Sequence, residues 1–102
     1  MSKFPVIQAD EGVTRQVLAD HPDLMLVSFC FDKGAVGKQH NHPHVQSTFV
    51  KSGRFAFTME GETIEMGPGD SLVIPSMAMH GGVCLEAGEL VDCFTPRRDD
   101  FL

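Results

Sequence analysis

The chain contains no tryptophan and no tyrosine, so eight phenylalanines supply all of its aromatic surface. No indole or phenol brings a polar handle into the core. Cysteine is scarce as well. Cys30, Cys84 and Cys93 are odd in number, far apart and set among apolar residues (SFCFD, GVCLE, VDCFT). A disulfide framework or zinc knuckle needs paired or closely spaced thiols, so all three are read as buried, reduced cysteines. Long apolar runs are also missing. Hydrophobic residues make up 42% of the chain, yet no run approaches the ~18 consecutive apolar residues of a membrane span. The first ten residues lack the apolar segment of a secretory signal, so a cytoplasmic location is expected. Positive charge is thin: beyond Arg97-Arg98 there is no basic cluster, and the formal net charge is −6. That argues against a nucleic-acid partner, whose phosphates demand a basic face. An anionic substrate would need a specific arginine to overcome the unfavourable overall field.

What is present is period two. The segments LMLVSFCF (24–31), VQSTFVK (45–51), RFAFTME (54–60), TIEM (63–66), SLVIP (71–75), VCLE (83–86) and LVDCFT (90–95) are strand-length and rich in Val, Phe, Ile and Thr. Turn clusters (DKGAVG, KSGR, EGE, GPGD, HGG, EAGE) separate them. Val13 to Asp20 fits a helical turn or two as well as a strand. No window sustains helical periodicity over three turns. With 102 residues, the chain is read as one all-β domain, residues 1–102, built as a sandwich or closed barrel.

Histidine carries the chemistry. In GAVGKQHNHPHVQ, His40 and His42 stand two apart, and residues i and i+2 of a strand point to one face. Gln46 follows at a parity that keeps it on that side if the connection at Pro43 preserves register. His80 is expected on a different hairpin, closing the set from the opposite wall. Three imidazole nitrogens and one amide oxygen suit one divalent transition metal ion: Zn, Ni, Fe, Mn or Co. An octahedral ion would keep two positions for water or substrate. His21 in DHPD reads as a turn histidine. His44 is ambiguous: parity sets it beside the site, whereas Pro43 turns it away. Met77 and Met79, approaching His80, either line the pocket or simply pack.

Longer spacings sharpen this reading. Gly34, five residues, His40-x-His42, three residues, Gln46, six residues and Gly53 resemble the first cupin motif, with Gln46 in place of its Glu. Gly69, five residues, Pro75 and then His80 resemble the second, with Met77 for its Gly and Cys84 for its Asn. The resemblance implies a small single-domain cupin β-barrel of jelly-roll type, two packed antiparallel sheets, homodimeric, with the metal inside. HNHPHVQ, GPGDSLVIPSMAMHGG and DCFTPRRDDFL are further similar to the small pectin-degradation cupins of the KdgF type. That likeness implies His40, His42, Gln46 and His80 as metal ligands. It also implies Asp92, Phe94 and Arg98 as residues of a reaction that converts 4,5-unsaturated monouronates to the linear keto-aldehyde.

Read from the residues alone, the tail leaves alternatives. Leu90, Asp92 and Phe94 share one strand face, and Val91 and Cys93 the other. Asp92 is either an edge-strand carboxylate in solvent or a cavity group with a raised pKa, fit for proton transfer. Arg98 is either an exposed tail residue or a fork for a substrate carboxylate. Phe94 is either core or a wall against a sugar ring. Three functions remain open: the uronate enzyme, a binding module that holds a sugar acid without turnover, and a metal cupin oxygenase or isomerase.

Overall fold

A computed structural model of the chain describes residues 4–102. Among the described residues eight strands are formed: β1 (Ile7–Asp10), β2 (Val13–His21), β3 (Leu24–Phe31), β4 (Val36–His40), β5 (Val45–Met59), β6 (Glu62–Met66), β7 (Ser71–Ile74) and β8 (His80–Thr95), followed by a 3₁₀ turn at Asp99–Phe101. No helix among the described residues is long and apolar enough to cross a membrane. Every strand pairing is antiparallel.

Strands β5 and β8 form the spine. They pair from Val45↔Thr95 to Met59↔His80, and each contributes to two sheets. The first half of β5 and the second half of β8 lie between β7 on one side and β3, β2 and β1 on the other. Their remaining halves lie between β6 and β4. The two sheets face each other as a barrel. Its core comprises Val50, Phe55, Phe57, Met66, Ile74, Ala78, Cys84 and Leu90, with a second cluster of Val17, Met25, Val27 and Phe94.

The bend between the sheets corrects the expected segmentation. KSGR and EAGE do not separate strands; they are the bulged stretches where β5 and β8 fold over together, with register shifts between Val50 and Phe55. The extra residue flips side-chain parity. Gln46, Thr48 and Val50 face inward before the bend, and Phe55 and Phe57 after it. HGG likewise begins β8 instead of turning, and only the first half of DKGAVG is a turn, because Val36 opens β4. Val13–Asp20 is strand. β1 and β4 carry little alternation and left no period-two signal. The EGE turn is as expected, with Glu60 and Gly61 both at positive φ (48° and 80°) in a two-residue hairpin loop.

Leu90, Asp92 and Phe94 do face inward together. The thiols divide: Cys84 is buried, Cys93 half-buried, and Cys30 exposed, because β3 alternation sets it opposite Phe29 and Phe31. Met77 and Met79 are both exposed. Met77, which stands where the second motif has glycine, adopts a positive φ of 67°.

Gly53 sits at the crossing of the two bends. Its φ is +82°, and a Cβ there would stand 2.5 Å from the Glu86 carbonyl oxygen. Gly61 has a similar φ of +80° but open space around it. Gly61→Ala should therefore cost only the left-handed penalty, about 1–2 kcal/mol. Gly53→Ala adds a backbone clash and should lower the melting temperature clearly further, which thermal melts of the two variants would compare.

Candidate metal centre

Three histidines converge at one end of the spine. His40 closes β4 and His80 opens β8, and the two are direct cross-strand partners with ring centroids 4.4 Å apart. His80 is thus a neighbour of His40 on the adjoining strand, and the expected approach from the opposite wall is corrected. His42 lies in the bend after β4, its ring 5.6 Å from His40 and 4.9 Å from His80. One ligating nitrogen from each residue can be chosen so that all lie within 4.8 Å of one another.

The backbone selects the nitrogen that each ring offers. Nδ1 of His40 meets the Lys38 carbonyl at 2.8 Å, Nδ1 of His42 the His44 carbonyl at 3.2 Å, and Nδ1 of His80 the Ala78 carbonyl at 2.9 Å. A carbonyl can only accept, so Nδ1–H donates in each case and the Nε2 lone pair turns inward. Such outer hydrogen bonds orient metal-ligating imidazoles. The buried Nε2 of His80 has no hydrogen-bond partner, an orphan acceptor that a cation would satisfy. Gln46 Oε1 stands 3.0 Å from His42 Nε2. Two acceptors at that distance repel, yet two adjacent ligands of one ion bound at about 2.1 Å lie about 3 Å apart. The donor set fits a divalent metal ion.

Burial keeps the rings of His42 and His80 neutral. Desolvation lowers the pKa of His80 to about 4, with the charges of His40, His42 and Arg98 acting in the same direction. His42 is also lowered, by burial first and then by Arg98. Neutral imidazoles at physiological pH are what metal binding needs.

Beyond His40 and His80 the cavity, about 330 Å³, is lined by Gln46, Asp92, Phe94, Arg98 and Phe101, with Phe29, Phe31 and Phe57 among its apolar walls. Asp92 is 5% exposed and faces inward, so the edge-strand alternative falls away. Its Oδ2 accepts from Gln46 Nε2 at 3.1 Å, whereas Oδ1 is buried without a partner. Phe94 is both core and wall: it is 1% exposed and packs edge-on against His42 at 5.7 Å. Arg98 is no exposed tail residue. Its side chain is 13% exposed and rests over the rings of Phe94 (5.1 Å) and Phe101 (4.3 Å).

Arg98 is already engaged, which the sequence did not reveal. Nε donates to Asp100 Oδ1 at 3.0 Å and Nη2 to Asp100 Oδ2 at 2.8 Å. That pairing leaves Nη1 and the outer edge of the guanidinium for another anion. His44 stays outside the three-histidine group and packs edge-on against His42 and Phe94. Phe57, stacked on His80 at 22°, and Thr48, beside Gln46, also belong to the site. Only their strand parity with Phe55 and Gln46 hinted at it.

Burial raises the Asp92 pKa from 3.8 to about 7, against partial offsets from Thr48, Arg98 and Gln46. In the metal-free protein the folded state then binds a proton that the unfolded state has released, over that whole window. Stability therefore falls as pH rises from about 4 to about 7. His80 acts oppositely, losing stability as pH falls from 6.5 to about 4, but it is common to parent and variant. The stability gain of Asp92→Asn over the parent should be absent near pH 4 and full by about pH 8. Thermal melts in chelator check this; a pH-independent difference would contradict it.

Comparison with known proteins shows the family and the fold. A family model described as a cupin domain matches residues 27–92. The chain is 39% identical over 100 residues to the pectin degradation protein KdgF of Dickeya dadantii, covering 96% of this chain and 91% of that protein. The structure of KdgF from a Halomonas species superposes with a TM-score of 0.92 at 43% identity, covering 96% and 91% of the two chains. An RmlC-like cupin from Shewanella frigidimarina gives 0.94 at 37% identity, covering 98% and 90%. The chain belongs to the cupin family, among its members of the KdgF type.

Proposed function

We propose that the chain is a metal-dependent enzyme that opens 4,5-unsaturated monouronates to their linear keto-aldehyde form. One observation carries the reading: a single cavity is lined by His40 and His80 of the three-histidine group together with Gln46, the buried carboxyl of Asp92, the Phe94 ring and the Arg98 guanidinium. His40, His42, Gln46 and His80 would hold the ion. A divalent metal bound there supplies a Lewis acid that stabilises charge on substrate oxygens.

The remaining chemistry falls to the chain's own groups. Opening the ring breaks the bond between the anomeric carbon and the ring oxygen, as the anomeric hydroxyl loses its proton and becomes the aldehyde. The released enolate then takes that same proton on the former alkene carbon and becomes the ketone. No net proton is gained or lost, so one group that accepts and returns a proton suffices. Asp92 fills that role, its Oδ1 being free of other partners. Arg98 binds the substrate carboxylate with the guanidinium edge that Asp100 leaves open. This supplies the local positive charge that a chain of net charge −6 otherwise lacks. Phe94 and the other cavity phenylalanines exclude water and pack against the sugar.

With metal bound, the protein should speed the loss of the ultraviolet enol-ether absorbance of a 4,5-unsaturated galacturonate over buffer. Asp92→Asn should lower kcat about 10²- to 10⁴-fold, and Arg98→Lys should raise KM chiefly. No acceleration by metal-loaded protein would overturn the reading. Tight calorimetric binding with the ligand recovered unchanged would indicate a binding module, and oxygen consumption dependent on ferrous iron an oxygenase.

The expected homodimer has support in the outer face of the β7-β5-β8 sheet, where Phe49, Val73 and Val45 are exposed beside half-buried Val91 and Cys93. Sedimentation should show a dimer that Phe49→Lys dissociates; a parent monomer would contradict it.

A further inference from the structure

The carboxamide at position 46 carries a requirement that a carboxylate would not. A carboxylate presents an oxygen whichever way it turns, whereas a carboxamide presents either an oxygen or an NH2 group, and only the oxygen binds a cation. The two orientations have almost the same shape, so hydrogen-bond partners must select between them. Here Gln46 Nε2 donates to Thr48 Oγ1 at 3.0 Å and to Asp92 Oδ2 at 3.1 Å, which turns Oε1 toward His42. Thr48 is 1% exposed, lies two residues beyond Gln46 on the inward face of β5, and pairs in register with Asp92 on β8. Thr48 Oγ1 and Asp92 Oδ2 thus present two acceptors to the same NH2 group. A reversed amide would forfeit both of these bonds and set its own oxygen against the Asp92 carboxyl oxygen.

We propose that Thr48 is a positioning residue that locks the Gln46 amide with its oxygen toward the three histidines, and so completes a four-ligand set for a divalent transition metal. The proposal rests on the reading of Gln46 as a ligand. Gln46 in place of the motif's Glu then requires a buried hydroxyl beside it, and Thr48 meets that requirement without touching substrate.

Cobalt(II) is the probe, with affinity measured by competition against a chelator and the ligand field by visible absorption. Thr48→Val keeps the shape and removes the hydroxyl; it should weaken cobalt binding about 10- to 100-fold and shift the visible bands. Thr48→Ser should restore both. Gln46→Leu should lose at least as much, and Thr48→Val added to it should cost nothing more. Far-UV circular dichroism verifies folding, and Thr48→Ala serves in the same comparison if the valine variant does not fold. Parental affinity and spectrum in Thr48→Val, with Gln46→Leu impaired, would overturn the role of Thr48. Equal losses in the serine and valine variants would overturn it too, since the hydroxyl would not be the cause. Parental behaviour of Gln46→Leu would show that Gln46 is no ligand and remove the premise.

Discussion

The antiparallel register of β5 on β8 is the constraint on which the rest of the structure depends. It sets Gln46 against Phe94, Thr48 against Asp92 and Met59 against His80, so one ladder supplies both polar walls of the cavity and the strand that delivers a histidine. A slip of one residue would turn every one of these side chains to the opposite face. The slip is opposed at both ends by apolar residues that share the inward rows, Val50 and Leu90 on one side of the bend and Phe55, Phe57 and Cys84 on the other. Packing and site geometry are therefore held by the same contacts. Polar groups of this kind survive in a core only because each has a partner in the next strand, and those left without one face the cavity.

Electrostatics follows from that placement. The acidic chain sets its few interior charges in an apolar enclosure where burial dominates. His42 and His80 are held neutral, and the Asp92 carboxyl is pushed up toward neutrality. Arg98 is the exception: its guanidinium stacks on Phe94 and Phe101 and pairs with Asp100, whose own pKa it lowers. The cation is thus held at the cavity without being neutralised on every edge, while the exposed acids of the surface are screened by water.

Much of this was legible in the sequence, for identifiable reasons. The segment LMLVSFCF coincides with β3 in its bounds, and Met25 and Val27 are buried between more exposed Leu24 and Leu26 as a strand covered on one face requires, although Ser28 is buried as well. The histidine spacing was legible because His40-x-His42 is local and strand geometry is simple. His80 was not placed correctly, since the sequence does not say that β4 and β8 are neighbours; that pairing is long-range. The bends at KSGR and EAGE were mistaken for strand ends because a glycine bulge and a glycine turn share the same local chemistry. Cys30 was misjudged because apolar neighbours in sequence do not fix which face a strand residue takes. The Asp100 clasp on Arg98 and the Thr48 hydroxyl depend on side-chain contacts that no spacing encodes.

The central claim is that the three histidines and Gln46 hold one divalent ion. X-ray absorption spectroscopy of the zinc-loaded protein tests it most directly. We expect one zinc per chain, with three imidazole nitrogens at about 2.0–2.1 Å, the remaining ligands oxygen and no sulfur. Zinc–sulfur scattering, fewer than three imidazoles, or no stoichiometric binding would contradict it.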